Sequence, residues 1–337
     1  MERKRRGTGK STLSDVAKFV GVSSMTVSRA LRDPTKVSES LLKKIQEAIK
    51  EFGYIPNNAA QTLASASSRL ILFVTPRLGS SGFQTIYHHM KLSLKKMGFH
   101  VLLAELNNKQ ADYDSLSTFI SYNPVLVIKF DIQFTSELND YLTKSKILSV
   151  SIGHTVNDSP QSETMITPDF KAAFELIAYK IASKEYRNPL LILHGEESFS
   201  QDIIRSWDRM LLAHDLSPNR VHPIYLAPSV MVGFDVLKEL QTSFTDTDLV
   251  VTSDENLAYG IWFACRDAGI TVPAQLAIVC VGQLDLTQSG RSKLSAVHIR
   301  WDNLAAQAME AVCESLELPS KTKTNTIPVE WISGESY

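Results

Sequence analysis

Apolar positions in the first sixty residues recur at helical spacing in three short bursts. Leu13, Val16 and Ala17, with Val20 in register just beyond, share one face of a helix predicted over residues 12–19. Thr12 or Ser14 can cap its start, and Gly21 ends it and permits a tight turn. Ser23 caps a second helix, SSMTVSRAL, whose Val27, Ala30 and Leu31 face inward and whose Ser24, Met25, Ser28 and Arg29 are left outward. Ser38 opens a third, with Leu41, Leu42, Ile45, Ala48, Ile49 and Phe52 as its apolar positions and Gly53 as its stop. Helix, glycine-containing turn, helix and supporting helix is the helix-turn-helix plan.

After Ser65–Ser68 the period changes. Apolar runs of strand length fall at Leu70–Thr75, Val101–Leu106, Val125–Phe130, Ile147–Ile152, Leu190–His194, Leu249–Ser253 and Leu276–Val281. Helical stretches separate them: Gln84–Met97, Asp112–Tyr122, Phe170–Lys184, Asp202–His214, Val230–Gln241, Glu255–Ala268 and Asn303–Leu316. This alternation predicts βαβ units and parallel sheets covered on both faces. At this length two lobes are expected. Ligands of such sheets bind beyond the carboxyl ends of the strands. The junctions to watch are therefore Thr75–Phe83, Ile166–Phe170, Glu196–Ser200, Ser253–Glu255 and Gly282–Asp285.

Charge sharpens the division. The formal net charge is −1, yet residues 1–57 hold 12 Lys+Arg against 6 Asp+Glu, and the rest of the chain is net acidic. A basic module on an acidic body points to a polyanion as partner of the first part alone. Cys265, Cys280 and Cys313 are scattered, which excludes a disulfide scaffold and a cysteine-rich zinc site. No run of 18 apolar residues and no signal-peptide h-region occurs, so no membrane partner and a cytoplasmic location are expected. Gly9-Lys10-Ser11 looks like the end of a phosphate-binding loop. The first glycine of that motif would fall on Lys4, so it reads as a basic arm.

LSDVAKFVGVSSMTVSRAL followed by KVSESLLKKIQEAIKEFGYIPNNAAQTLA resembles the headpiece and hinge of the lactose-repressor (LacI/GalR) family of bacterial regulators. The resemblance covers residues 12–64. It implies that Ser24, Met25 and Arg29 read bases, an arginine being suited to bidentate contact with guanine. It implies that Ser23, Thr26, Ser28, Ser38 and Asn57 contact phosphates. Residues 58–66, including Ala60, match the hinge that becomes helical on the operator, and Leu63 matches the leucine that wedges into the minor groove. Leu41-Leu42 stand where the family often has Thr-Arg.

Residues 69–337 are similar to the two-lobed, type I periplasmic-binding-protein-like core of the same family, best in LVVTSDENLAYGIWFACRDAGITVPAQLAIV and LSAVHI. The fold class is thus an all-α helix-turn-helix headpiece plus an α/β core with parallel sheets. The expected domains are 1–57 for DNA binding, 58–68 as hinge and 69–337 as effector and oligomerisation core. Lobe one would take 69–167 and 299–327, and lobe two 168–298 and 328–337. The candidate effector residues are Arg77, Phe83, Asp169, Trp207, Ser253 and Asp254. Asp169 and Asp254 can be ligand groups, helix caps or both. Phe83 and Trp207 can stack on a ligand or belong to the core. Arg77 suits a carboxylate or phosphate, or is a solvated surface arginine. The family's effector-clamping arginine aligns with Ile203, and its usual aspartate falls on Gly282.

M-T-V-S-R, Y-I-P-N and the stretch from Ala277 to Val297 look like the gluconate-utilisation regulators of the family. The expectation is a cytoplasmic homodimer or homotetramer that binds pseudo-palindromic double-stranded DNA. It acts as a repressor and is released by a sugar acid. An activator or corepressor-dependent regulator is the alternative, and a sensory module or an enzyme is the rival class. No metal, cofactor or catalytic residue is expected. The usual hydrolase, metalloprotease and dinucleotide motifs are missing, and adjacent His88 and His89 point about 100° apart on a helix, unsuited to sharing a metal.

Overall fold

The computed structural model describes residues 11–32, 34–54, 68–106, 110–153, 163–184, 186–194, 200–282, 294–317 and 324–337. The segment 58–68 apart from Ser68, Asn57, Ala60, Leu63 and the Gly9-Lys10 arm lie outside these residues. The chain divides into two compact units, residues 1–67 and 68–337.

The first unit is three helices, α1 (Leu13–Val20), α2 (Ser24–Arg32) and α3 (Glu39–Phe52), with a short 3-10 turn at Pro34–Lys36. Local chemistry sets each boundary. Thr12 caps α1 in a reciprocal box, its hydroxyl accepting the Asp15 amide while the Asp15 carboxylate accepts the Thr12 amide at 2.9 Å. Gly21 follows at φ 77°, a left-handed conformation that glycine adopts at little cost. Val16, Ala17, Val27, Ala30, Ile45 and Ala48 close a core with at most 2% of each exposed. Phe19 packs edge-on against Phe52 at its rim.

The second unit holds two six-stranded sheets. One has the order β13-β7-β6-β4-β1-β2, from β13 (Thr324–Ile327), β7 (Thr164–Pro168), β6 (Leu148–Ile152), β4 (Leu126–Phe130), β1 (Leu70–Thr75) and β2 (His100–Glu105). The other has the order β14-β12-β11-β10-β8-β9, from β14 (Val329–Ile332), β12 (Ser295–Ile299), β11 (Ala277–Gly282), β10 (Leu249–Thr252), β8 (Pro189–His194) and β9 (Val221–Ile224). A two-residue pair, β3 (Gln110–Ala111) and β5 (Gln133–Phe134), sits apart. All pairings are parallel except β14 against β12. Helices cover both sheets: α4 (Ser81–Lys96), α5 (Tyr113–Ile120), α6 (Ser136–Lys144) and α11 (Trp301–Glu317) with the first; α7 (Phe170–Lys184), α8 (Ser200–Ala213), α9 (Val230–Ser243) and α10 (Glu255–Asp267) with the second. Strands buried on both faces need continuous apolar runs, and β4, β10 and β11 are buried along their whole length.

Several elements have no clear pattern in the chain. β7 ends in Pro168, a residue that argues against a strand interior. β13 is the polar TNTI at a sheet edge, and α6 buries only Leu138 and Leu142.

One buried polar cluster interrupts the first sheet. Lys129 on β4, 4% exposed, lies 2.7 Å from the fully buried carboxylate of Glu163, which also accepts the Ser151 hydroxyl at 2.7 Å. The Lys129 ammonium stands 4.8 Å over the Phe134 ring.

Candidate functional site

In the first unit the outward face of α2 carries Ser24, Met25 and Arg29 exposed, Met25 at 72%. The Met25 side chain is thus an apolar group open to a partner. The hydroxyls expected at phosphates have local roles too. Ser23 accepts the Thr26 amide at 3.1 Å and lies 2.9 Å from the Thr26 hydroxyl, while Ser38 caps α3 by accepting the Leu41 amide. A capping hydroxyl that accepts an N–H still carries a proton, which a neighbouring hydroxyl or a phosphate oxygen can accept. Ser28 is half-buried on the same helix.

In the second unit a cavity enclosing about 700 Å³, counted to its open mouth, lies where strands from both sheets end. From the first sheet come Arg77 after β1, Ser81 at the start of α4, and Phe130 with Asp131 at the end of β4. From the second come Ser253, Asp254 and Glu255 after β10, and Gly282 at the end of β11. Phe170, Phe174 and Trp301 add aromatic walls. Asp131 is held at the rim by a left-handed backbone of φ 50°, beneath Gly153 at φ 104°. A Cβ on Gly153 would fall 1.9 Å from the Asp131 carboxylate, so that position has no room for a side chain.

The electrostatics centre on three groups. Asp254 opens α10: its Oδ1 accepts the Asn256 amide at 2.9 Å and the Leu257 amide at 3.4 Å, and its Oδ2 accepts Arg77 Nη2 at 3.3 Å. The Arg77–Asp254 contact joins the two lobes. Glu255 lines the same cavity wall opposite Ser81 of the first lobe. Burial, and next the charge of Asp254, push the Glu255 carboxyl above the usual carboxylate range. Burial beside these two carboxyls pushes the Cys280 thiol up as well.

Arg77, Ser253 and Asp254 of the candidate residues thus meet at one cavity. Phe83, Asp169 and Trp207 do not line it. Phe83 is 2% exposed, stacked on Tyr87 and edge-on to Phe130, so it backs a wall instead of facing a ligand. Trp207 is fully buried, donates its indole N–H to the Arg220 carbonyl at 3.0 Å, and stands behind Phe174. Asp169 caps α7 through the Ala172 amide at 2.9 Å, and its neighbour Phe170 lines the cavity. Ile203 and Gly282 both line it, so the two core positions named above as departing from the family pattern face the ligand space. Ser81 and Glu255 fall inside two of the strand-to-helix junctions that the sequence points to, whereas Asp131 and Trp301 carry no such signal.

Residues 12–57 match the model of the lacI family of bacterial regulatory proteins, and residues 181–337 match that of the periplasmic binding protein-like domain. The HTH-type transcriptional regulator IdnR of Escherichia coli K12 is 25% identical over 303 residues, 88% of this chain and 90% of that protein. GntR of the same strain, also an HTH-type transcriptional regulator, is 27% identical over 288 residues, 85% of this chain and 86% of that protein. A LacI-family regulator structure from Silicibacter pomeroyi superposes with a TM-score of 0.83 at 21% identity, covering 97% of this chain and 99% of that one. The lac repressor dimer bound to operator and the anti-inducer ONPF gives 0.77 at 18% identity, over 97% and 99% of the two chains. The two family matches fall one in each compact unit, a lacI-family DNA-binding domain in the first and a periplasmic binding protein-like domain in the second, the two parts of a DNA-binding transcription regulator with an effector-binding core.

Proposed function

We propose that this regulator is a repressor of sugar-acid utilisation genes, released from its operator when a gluconate-like acid enters the cavity between the lobes. The observation that carries the reading is the Arg77 guanidinium on the cavity wall, beside Asp254, Ser253 and aromatic faces. Its ion pair uses one N–H toward Asp254, and a guanidinium has several donors in a fork that matches a carboxylate. Carboxylates and the Ser253 hydroxyl suit ligand hydroxyls, and flat aromatic walls suit the C–H faces of a sugar chain.

On this reading residues 1–57 bind DNA, 58–68 form the hinge and 69–337 sense the ligand. Ser24, Met25 and Arg29 face bases. Ser23, Thr26, Ser28, Ser38 and Asn57 face phosphates, while Ala60 and Leu63 belong to the hinge at the minor groove. A palindromic operator calls for a two-fold dimer, which sedimentation of the full chain at micromolar concentration checks.

Calorimetric titration of wild type and Arg77→Ala with gluconate, a phosphorylated gluconate and glucose tests the ligand. Trp301 lines the cavity, so its emission gives a second signal of occupancy. Fluorescence anisotropy of labelled operator then reads the sign of control. Preference for glucose by wild type, or unchanged acid binding by Arg77→Ala, defeats the sugar-acid reading. Tighter operator binding with the acid present defeats release.

A further inference from the structure

Most of the positive charge of the first unit lies ahead of its helices. Residues 1–10 hold five Lys+Arg and one Glu, whereas residues 11–57 hold seven Lys+Arg against five Asp+Glu, and residues 58–68 carry no charge. Within the folded part the charges cancel helix by helix. α1 sets Lys18 against Asp15, and α3 interleaves Lys43, Lys44 and Lys50 with Glu39, Glu47 and Glu51. Lys43 stands four residues after Glu39 and four before Glu47, the spacing at which helix neighbours pair. α2 alone keeps an excess, Arg29 and Arg32, and Arg29 is the residue assigned to a base. The phosphate partners Ser23, Thr26, Ser28 and Ser38 are neutral hydroxyls, and a neutral group displaces no counterion from DNA.

The structure fixes where the leading charge begins. The Ser11 hydroxyl donates to the Phe52 carbonyl at 2.6 Å, across 41 positions of chain, and Thr12 then caps α1. Phe52 is the last residue of α3. Gly53 follows in a left-handed conformation at φ 58°, and the Tyr54 amide donates back to the Ile49 carbonyl at 3.0 Å. The chain therefore enters the headpiece, and leaves it toward residue 58, at one corner. In a helix-turn-helix complex the first helix crosses the DNA backbone. A basic segment rooted at the start of α1 thus begins beside phosphates. Arg3 to Lys10 is eight residues, at most about 26–29 Å when extended. One DNA strand presents a phosphate about every 3.4 Å of axis, so several lie within that reach.

We propose that residues 3–10 are a backbone-tracking arm: Arg3, Lys4, Arg5, Arg6 and Lys10 neutralise phosphates along the duplex and supply most of the salt-dependent affinity without reading sequence. This deepens the DNA-binding reading of residues 1–57 and rests on it. α2 selects the site, the arm holds the headpiece on any duplex, and mutation separates the two duties. Each phosphate neutralised adds about 0.9 to the slope of log affinity against log salt. Removing four of these cations lowers the slope by up to about 3–4 for each arm engaged. A fourfold rise in salt then weakens wild type up to about a hundredfold more than the variant.

The test is fluorescence anisotropy of the full chain on a labelled random-sequence duplex and a labelled operator across a salt series. Wild type is compared with a variant carrying Arg3→Gln, Lys4→Gln, Arg5→Gln and Arg6→Gln together, and with one carrying Arg3→Lys, Arg5→Lys and Arg6→Lys. Deletion of residues 2–10 is a further variant with the same expectation as the glutamine set. All these changes precede Ser11, so the headpiece should melt as wild type does. The glutamine variant is expected to bind both duplexes more weakly by the same factor, with the lower slope. The lysine variant is expected to keep the wild-type slope, because a phosphate needs charge and not a guanidinium fork. Equal slopes for wild type and the glutamine and deletion variants overturn the proposal. A loss confined to operator makes the arm a base reader and overturns it too, as does a lysine variant as weak as the glutamine one, which marks an arginine-specific groove contact. If wild type binds no duplex at the lowest salt, the DNA-binding reading falls and the arm with it; if it binds and the slopes match, the arm alone falls.

Discussion

Arg77, two residues past the end of β1, and Asp254, which opens α10, lie 3.3 Å apart although 177 positions separate them in the chain. Arg77→Ala should cost a sugar acid about 1.5–3 kcal/mol of binding, the range for a hydrogen bond to a charged group. Asp254→Asn should behave differently. The amide keeps an acceptor for the α10 amides and for a ligand hydroxyl, and removes the charge that competes for Arg77. Acid affinity is therefore expected to hold or rise. Parallel titrations check this, and equal losses in both variants would make Arg77 a structural partner of Asp254 and not the cation of the ligand.

Lys129 and Glu163 form the most deeply buried ion pair described. Removing one partner leaves a charge with no water, so Lys129→Met should destabilise the core by about 3–5 kcal/mol. Changing both, Lys129→Met with Glu163→Gln, should recover much of the loss, because the uncompensated charge is gone. Chemical denaturation of the single and double variants gives the comparison. Additive losses would show that the pair is not coupled.

Glycine spacing fixes α10 against α9. A Cβ on Gly260 would fall 2.2 Å from the Val230 carbonyl oxygen and 2.8 Å from the Gly233 Cα, all backbone that cannot turn aside. Gly260→Ala gains about 0.5–1 kcal/mol of helix propensity. It loses about 1–3 kcal/mol to overpacking, so the net is destabilising. Because α10 carries Asp254 and Glu255 at its start, ligand affinity should fall with the melting temperature. Gly79→Ala, where an added Cβ meets nothing within 4 Å, is the control. Equal melting temperatures for the two variants would contradict the packing argument.

The parts of the fold that were legible are those whose signals are local. The first and third headpiece helices each have their own cap and glycine stop, and β1 and α7 occur with the bounds the apolar pattern predicts. β7 and β13 were not legible, because one ends in proline and the other is polar. Pairing makes them strands, β7 between β6 and β13, and β13 against β7. The site divides the same way. Arg77, Ser253 and Asp254 follow from their position after strands. Phe83 and Trp207 are aromatic and correctly spaced, but periodicity cannot tell a cavity wall from the layer behind it. Glu255 shares its cavity wall with Arg77 and Ser81, distant in sequence, so its setting emerges only when the lobes are assembled.

The last expectation concerns DNA. On α2, Val27 and Ala30 are at most 1% exposed, which fixes the helix against the headpiece core and leaves Arg29 and Met25 on the opposite, exposed side. Arg29→Ala removes no packing from that core, so the unit should melt as wild type does. A bidentate arginine contact to guanine contributes about 1–3 kcal/mol of discrimination, and its loss should weaken operator binding by that amount and relax preference at one base position. Lys18→Ala is the contrast. It sits exposed in the last turn of α1, and any contribution it makes to a polyanion is independent of sequence. Its removal should weaken operator and random duplex alike and lower the salt dependence. Anisotropy titrations on operator, single-base operator variants and random DNA at two salt concentrations separate the two behaviours. An equal loss on operator and random DNA for Arg29→Ala would mean that Arg29 contacts the backbone and reads no base.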